Sequence, residues 1–335
     1  MKACRFFQNF YKHKLPGKSR LFFCGAMIIY FLLWRTQKMF NLLIAFLSPL
    51  FAAATNVIDS QVANSILKKV DAVVFYSSIT NILVLPLLLL FGTPRLMGED
   101  DLPLMALACL VDLAYQFPYY AAMKRMDTSI TAALMSLGEL SIPFLAWFMV
   151  DERLTFRQYT GFGVIIFFNI ALSMKNSGRL RINTAFWLML LASNLLAFEA
   201  VLLKKIMQNL DWLSTMFYLA LFTSVMSLGL LARRSCRNDI LQHFPQFVSR
   251  WKLFLLDEIF GQSAAIAAMY AISALPVVVF TAIDNTEPIF TLLYGTVLYY
   301  FFGKTPREKV DLQTIGSKLV FFAFIILGVI MAAGG

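Results

Sequence analysis

Two stretches of this chain, 146 residues apart, repeat one pattern, and each is an apolar run with acids inside it. The first begins VDLAYQFPYYAAM and the second DEIFGQSAAIAAM. Asp112 meets Glu258, Gln116 meets Gln262, and Ala121-Ala122-Met123 meets Ala267-Ala268-Met269. With three extra residues in the next turn, Met126-Asp127-Thr128 falls on Leu275-Pro276-Val277, and Glu139 comes within one position of Glu287. Acid and amide are four residues apart in both copies, which puts them on one face of a helix. A carboxylate embedded in an apolar helix needs a cavity or a partner to face. Here that need arises twice, once in each half.

The environment of those helices follows from composition. Hydrophobic residues make up 59% of the chain and charged residues 14%, against roughly 25% charged in soluble domains. That much apolar surface has no place in a water-soluble fold, so the chain is read as a polytopic, all-α integral membrane protein. The net charge of +10 does not indicate nucleic acid, because the Lys and Arg sit in short runs between apolar segments, as the positive-inside rule describes. Cys4, Cys24, Cys109 and Cys236 lack paired spacing, and His13 and His243 lie in basic flanks. No disulfide framework, metal site or cofactor is therefore expected.

From Asn41 onward ten apolar segments can be drawn: 41–66, 72–91, 102–123, 128–150, 157–174, 184–203, 212–232, 253–273, 276–302 and 313–333. Each is long enough to span a bilayer as a helix. The longest polar connection, Arg233 to Lys252, carries five Lys/Arg, which suggests contact with anionic lipid. Before the core, residues 1–38 form a basic segment with a short apolar run, Leu21–Trp34. It reads as an uncleaved anchor, as an extra helix, or as sequence preceding a start at Met39.

The repeat divides the segments five and five, residues 39–178 and 179–335. Five is odd, so the second half enters the membrane upside down. The expected fold is a ten-helix core of two inverted five-helix repeats, with or without one N-terminal helix. Odd-numbered connections hold 15 Lys/Arg and even-numbered ones hold five, namely Arg95, Arg153, Arg157, Lys204 and Lys205. The charge rule places the odd connections in the cytoplasm.

The succession Tyr120-Ala-Ala-Met-Lys-Arg-Met, Ser136-Leu-Gly-Glu139, Asp151-Glu-Arg-Leu-Thr155, Gln158 and Gly161 resembles the EamA type of the drug/metabolite transporter superfamily. That family has a tandem five-helix repeat with Glu-Pro early in each fourth helix, Gly-Glu-Arg-Leu at its end and a Gly in the fifth. The second copy here has Glu287-Pro288 and Gly316. The first has Glu139 with Pro143 a turn later, and Asp-Glu-Arg-Leu. In the second copy Gly303-Lys304 replaces Gly-Glu. The resemblance implies a transporter in the inner cell membrane, not an enzyme, with both termini cytoplasmic, which conflicts with the charge count.

Candidate substrate-binding residues follow from helical faces. Asp112, Tyr115, Gln116 and Tyr119 share one stripe of the third segment, and Asp284, Glu287, Thr291 and Tyr294 one stripe of the ninth. Asn56 and Asp59 mark the first, Glu199 the sixth, and Glu258 with Gln262 the eighth; Glu139 joins them from the fourth. Such polar stripes with tyrosines suit an aqueous cavity for an amphipathic or zwitterionic small molecule. Each has a structural alternative: Glu139 and Glu287 as helix caps or interhelical bonds, and Asp151, Glu152 and Arg153 as interfacial anchors. Carboxylates in a low-dielectric span can carry protons, so Asp112, Glu258 and Glu287 are also the proton-coupling candidates.

The expected function is gradient-driven or exchange transport of metabolites, amino acids or drugs by alternating access, by a monomer or a homodimer. The close rival is a flippase for a lipid-linked substrate. A membrane-embedded enzyme is disfavoured, since no nucleophile–base pair or phosphate loop is present.

Overall fold

In the computed structural model the backbone is described for residues 17–125, 134–135, 138–177, 184–302 and 312–333. Within those ranges the side chains of 17–38, 139, 169–170, 172–177, 292, 295–296, 298–302, 312–319, 322 and 333 are left out. Every regular element among the described residues is helical. This is the outcome lipid imposes on a chain that must satisfy its own backbone hydrogen bonds. Among the described residues six helices are long and apolar enough to cross a membrane: Met39–Ile66, Val70–Phe91, Leu102–Met123, Thr184–Ile206, Trp212–Ala232 and Trp251–Ala274.

The chain forms two compact units, Met1–Leu43 and Ile44–Gly335. In the first, backbone is helical from Gly17, where helix α1 (Gly17–Gln61) begins. The apolar run Leu21–Trp34 is helical backbone.

In the second unit α1 ends in a π-turn, Val62–Ile66. There Leu67 N–H bonds Val62 O at 2.9 Å, and Lys124 Nζ donates to Leu67 O at 3.2 Å. Helix α2 (Val70–Thr80) tightens into a 3-10 turn, Asn81–Val84, before restarting as α3 (Leu85–Phe91) with a proline in its first turn. The ring of Pro86 supplies no N–H, so the turn preceding it must rearrange. Helix α4 (Leu102–Met123) follows. A 3-10 turn, Glu139–Ser141, then leads into α5 (Ile142–Val150), and α6 (Phe156–Ser177) closes the first half.

The second half holds α7 (Thr184–Ile206), α8 (Trp212–Ser227), α9 (Arg234–Ser249), α10 (Trp251–Ala274), α11 (Val277–Asp284), α12 (Glu287–Phe302) and α13 (Leu312–Ala333). Helix α9 replaces the polar connection expected from sequence. Cys236, Ile240 and His243 are buried along one side of it, and Tyr76 stacks on Phe247 at 4.4 Å between ring centroids. A one-sided apolar stripe at helical spacing is enough to fold a polar connection into a helix.

The ninth apolar segment, 276–302, is not one continuous helix. It breaks at Asn285-Thr286, between α11 and α12. Pro288 lacks the N–H that would continue the ladder, and local polar groups fill in. Asn285 Nδ2 donates to Thr281 O at 2.9 Å, and Thr286 Oγ1 to Ile283 O at 2.7 Å. The fourth segment behaves alike: Ser141 Oγ donates to Gly138 O at 2.7 Å just before Pro143 in α5.

Small residues set the closest packing. A Cβ on Gly138 would lie 2.4 Å from Asn194 N, and one on Gly161 would lie 2.6 Å from Gly328 O. Helix α4 packs mainly on α7, and α6 on α13. Backbones that touch in this way gain dispersion contacts that bulkier residues would block.

Candidate functional site

Polar side chains in this core cannot turn to water, so they turn to each other or to a cavity. One cavity of about 380 Å³ lies among α1, α2, α4, α7, α8, α10 and α11. Its size falls in the range of small-molecule sites. Of the residues expected from sequence, Asp59, Asp112, Tyr115, Gln116, Glu199, Glu258, Gln262 and Asp284 line it.

Several of them are held by short links. Gln116 accepts from Ser78 Oγ at 3.1 Å and donates to Asp112 O at 3.1 Å. Asp59 accepts from Tyr120 OH at 3.0 Å, and that hydroxyl lies 3.2 Å from Ser77 Oγ. Gln262 Nε2 donates to Glu258 Oε1 at 2.7 Å and to Asn81 Oδ1 at 3.0 Å. Asp284 accepts from Ser48 Oγ at 2.7 Å. Acid and amide do share a helical face in both copies, but in the first the amide bonds the backbone carbonyl and in the second the carboxylate.

Three expected residues stand apart from the lining, in a chain of their own. Tyr119 OH donates to Asn56 Oδ1 at 2.8 Å, and Asn56 Nδ2 donates to Glu287 Oε1. This joins α4, α1 and the first residue of α12. Tyr294 lies two turns beyond Glu287 and does not line the cavity either. The stripe Asp284–Glu287–Thr291–Tyr294 presumed a continuous helix, and the break at Asn285-Thr286 leaves only Asp284 facing the cavity. The side chain of Glu139 lies outside the described residues, as do Gly303-Lys304.

Asp257 was missed. It lines the cavity beside Glu258, and one of its oxygens, Oδ1, is buried without a partner. The repeat pairs only Glu258 with Asp112, but the Asp257-Glu258 dipeptide inside an apolar run is itself a signal. Glu199 is 5% exposed, and its Oε2 likewise has no hydrogen-bond partner.

Glu152 turns inward. Its carboxylate accepts the N–H of Val277, and Lys204 Nζ lies 3.9 Å away. Burial pushes its carboxyl above the ordinary range, and the Lys204 charge and the Val277 N–H pull it back. Asp151 and Arg153 remain exposed, with side chains 77% and 78% accessible.

Among the described residues no group of three or more His, Cys, Asp or Glu converges as metal ligands would.

No curated protein sequence matches the chain. A solved structure described only as that of a protein aligns with a TM-score of 0.58 at 14% identity, covering 87% of this chain and 96% of that one. At that identity the likeness concerns the fold. Residues 39–174 match the EamA-like transporter family, and this is the stretch that holds α4, α5, α6 and their motifs. The segment 39–174 is thus of the EamA-like transporter family, consistent with an EamA-type member of the drug/metabolite transporter superfamily.

Proposed function

We propose that this chain is a secondary transporter that moves small organic solutes by alternating access between two inverted five-helix repeats. The observation that carries the reading is the acid-lined cavity of about 380 Å³, walled by helices of both halves in a chain whose residues 39–174 match a transporter family.

Three relations support the repeat. The fourth and ninth segments both break beside an acid and restart at a proline. Asn56 meets Glu287 across the halves, and the backbone of Gly138, next to Glu139, lies against that of Asn194 on α7. The fifth and tenth segments, α6 and α13, pack on each other. Broken helices at a repeat interface are where many secondary transporters place their sites.

The sequence has no phosphate-binding loop, so transport draws on a gradient or an exchange partner. Asp112, Glu258 and Glu287 remain the proton-coupling candidates. If Asp112→Asn, Glu258→Gln and Glu287→Gln all leave the pH dependence of transport unchanged, proton coupling is wrong. The proposed location is the inner cell membrane, as monomer or homodimer, with the basic stretch Arg233–Lys252 against anionic lipid.

The test compares metabolites in cells expressing the wild type or Asp112→Asn at equal membrane abundance, in cytosol and medium. A solute whose distribution shifts only with the wild type supports the reading and gives the direction. Identical profiles in cells with and without the wild-type protein overturn small-solute transport and favour a flippase for a lipid-linked substrate.

A further inference from the structure

The charge of the cavity is one-sided. Asp59, Asp112, Glu199, Asp257, Glu258 and Asp284 line it from five helices, and among the described residues no Lys, Arg or His does. Lys204 is the cation next along α7 from the lining residue Leu203. Its Nζ donates to Ile272 O at 2.5 Å and to Leu275 O at 2.9 Å, and it pairs with Glu152. It is therefore held at the ends of α10 and α11 and not turned to the acids.

Carboxylates around one small volume of low dielectric repel each other unless a proton or another cation sits among them. Internal donors serve some of them: Tyr120 serves Asp59, Gln262 serves Glu258 and Ser48 serves Asp284. They do not serve all. Glu199 is 95% buried, as its 5% exposure implies, and its Oε2 faces no donor; Asp257 Oδ1 is in the same condition. A buried acceptor without a donor is costly, and here two such atoms belong to residues that line the same cavity.

We propose that the cavity is a site for an amphipathic organic cation, a protonated amine carried on an apolar or aromatic body, with Glu199 as a principal counter-charge. The proposal rests on the transporter reading above and narrows its substrate class. An inorganic ion is a poor fit because the acids do not converge as metal ligands. The remaining wall is apolar and aromatic, with Tyr115, Phe254, Phe280, Met216, Leu219 and Met269. Aromatic faces attract cations, and apolar lining binds the rest of such a molecule. An anionic solute would enter a site with six acids and no facing cation, and a zwitterion would gain at its amine what it lost at its carboxylate.

Three probes with the same ring and a similar chain separate these cases: phenethylamine (cation), phenylalanine (zwitterion) and 3-phenylpropionate (anion). Binding is measured by equilibrium dialysis of the purified full-length protein in detergent. Movement is measured by counterflow in proteoliposomes against protein-free vesicles. The expected result is phenethylamine binding at least tenfold tighter than either of the others. Glu199→Gln should lose that preference while the unliganded melting temperature is kept. If Glu199→Gln does not fold, Asp257→Asn carries the same expectation.

Equal or tighter binding of phenylalanine or 3-phenylpropionate overturns the cation site, as does binding of none of the three. Counterflow of one of those two without phenethylamine overturns the cation site and leaves transport standing. Phenethylamine binding without counterflow supports the cation site and overturns transport.

Discussion

The carboxylate of Glu152 accepts the backbone N–H of Val277 at 2.9 Å, across 125 residues of sequence. Val277 is the first residue of α11, whose N-cap position is Pro276 with no side-chain cap of its own. Glu152 is thus a capping acid supplied from the other half of the chain. Lys204, 3.9 Å from Glu152 Oε1, does the complementary work at the end of α10 by donating to Ile272 O and Leu275 O. The two side chains are only 14% and 18% accessible. Losing a helix N-cap costs about 0.5–2 kcal/mol, and a partly buried lysine left without its acid adds to that. Glu152→Ala should therefore lower stability in detergent by about 1–3 kcal/mol. An unchanged melting temperature would mean that the cap is not formed.

The same residue gives a pH dependence. Burial raises the Glu152 carboxyl above its unfolded value more than Lys204 and Val277 lower it. Folding therefore favours its protonated form. The contribution is fully present below the unfolded value and is lost as pH rises through the folded one. Glu152→Gln cannot titrate. The stability of the wild type relative to Glu152→Gln should fall as pH rises from 4.5, the ordinary value for glutamate, through the raised one. A wild type that gains on the variant across that interval would refute the assignment.

Asp151, next to this cap, has φ of 52°, the only positive φ at a non-glycine among the described residues. It ends α5 in the left-handed conformation that usually favours glycine. The motif it belongs to carries glycine at this place in the EamA type, so the departure seen in sequence marks a strained position. Asp151→Gly should stabilise the protein by about 0.5–1 kcal/mol, and a β-branched Asp151→Val should destabilise it. The ion pair lost with Arg153 joins two exposed side chains and adds little. Chemical unfolding in detergent compares all three.

Gly161 and Gly163 lie two residues apart on α6 and should behave oppositely. A Cβ at Gly161 would sit 2.6 Å from Ala332 N and Gly328 O, both backbone atoms of α13, whereas one at Gly163 meets nothing within 4 Å. Backbone cannot yield as a side chain can. Gly161→Ala should therefore cost about 1–3 kcal/mol, and Gly163→Ala should be neutral or stabilise by up to about 1 kcal/mol. Equal effects at the two sites would contradict the packing of α6 on α13.

The parts of this molecule legible in sequence are those set by composition and local period. The apolar runs that become α4, α7 and α10 have nearly the drawn bounds, because length and hydropathy alone decide them. Asp112, Gln116, Glu199 and Glu258 reach one cavity because a polar group inside such a run has few other places to go. What was not legible depends on partners remote in sequence. Glu152 looked like an interfacial charge because its partners, Val277 and Lys204, lie in other segments. Tyr119 shares a stripe with Asp112 but bonds Asn56, and Tyr294 fell off its stripe because the helix breaks at Asn285-Thr286. A proline at 288 gave warning of that break; a periodicity count across it could not include it.

Tyr119, Asn56 and Glu287 form a chain in which the middle member serves both ends. Tyr119→Phe removes one donor and leaves Asn56 Oδ1 unsatisfied, at a cost of about 1 kcal/mol. Asn56→Ala leaves both the buried Tyr119 hydroxyl and the Glu287 carboxylate without this partner, at about 1–3 kcal/mol. Once Asn56 is gone the Tyr119 hydroxyl has no acceptor in the chain to lose, so the second substitution should add little. A double-mutant cycle by chemical unfolding in detergent should show coupling of about 0.5–3 kcal/mol. Strict additivity would mean that the two residues do not act through each other. The same pair separates structure from transport: if Tyr119→Phe lowers stability but leaves solute movement intact, the chain holds α1, α4 and α12 together and takes no part in the cavity's cycle.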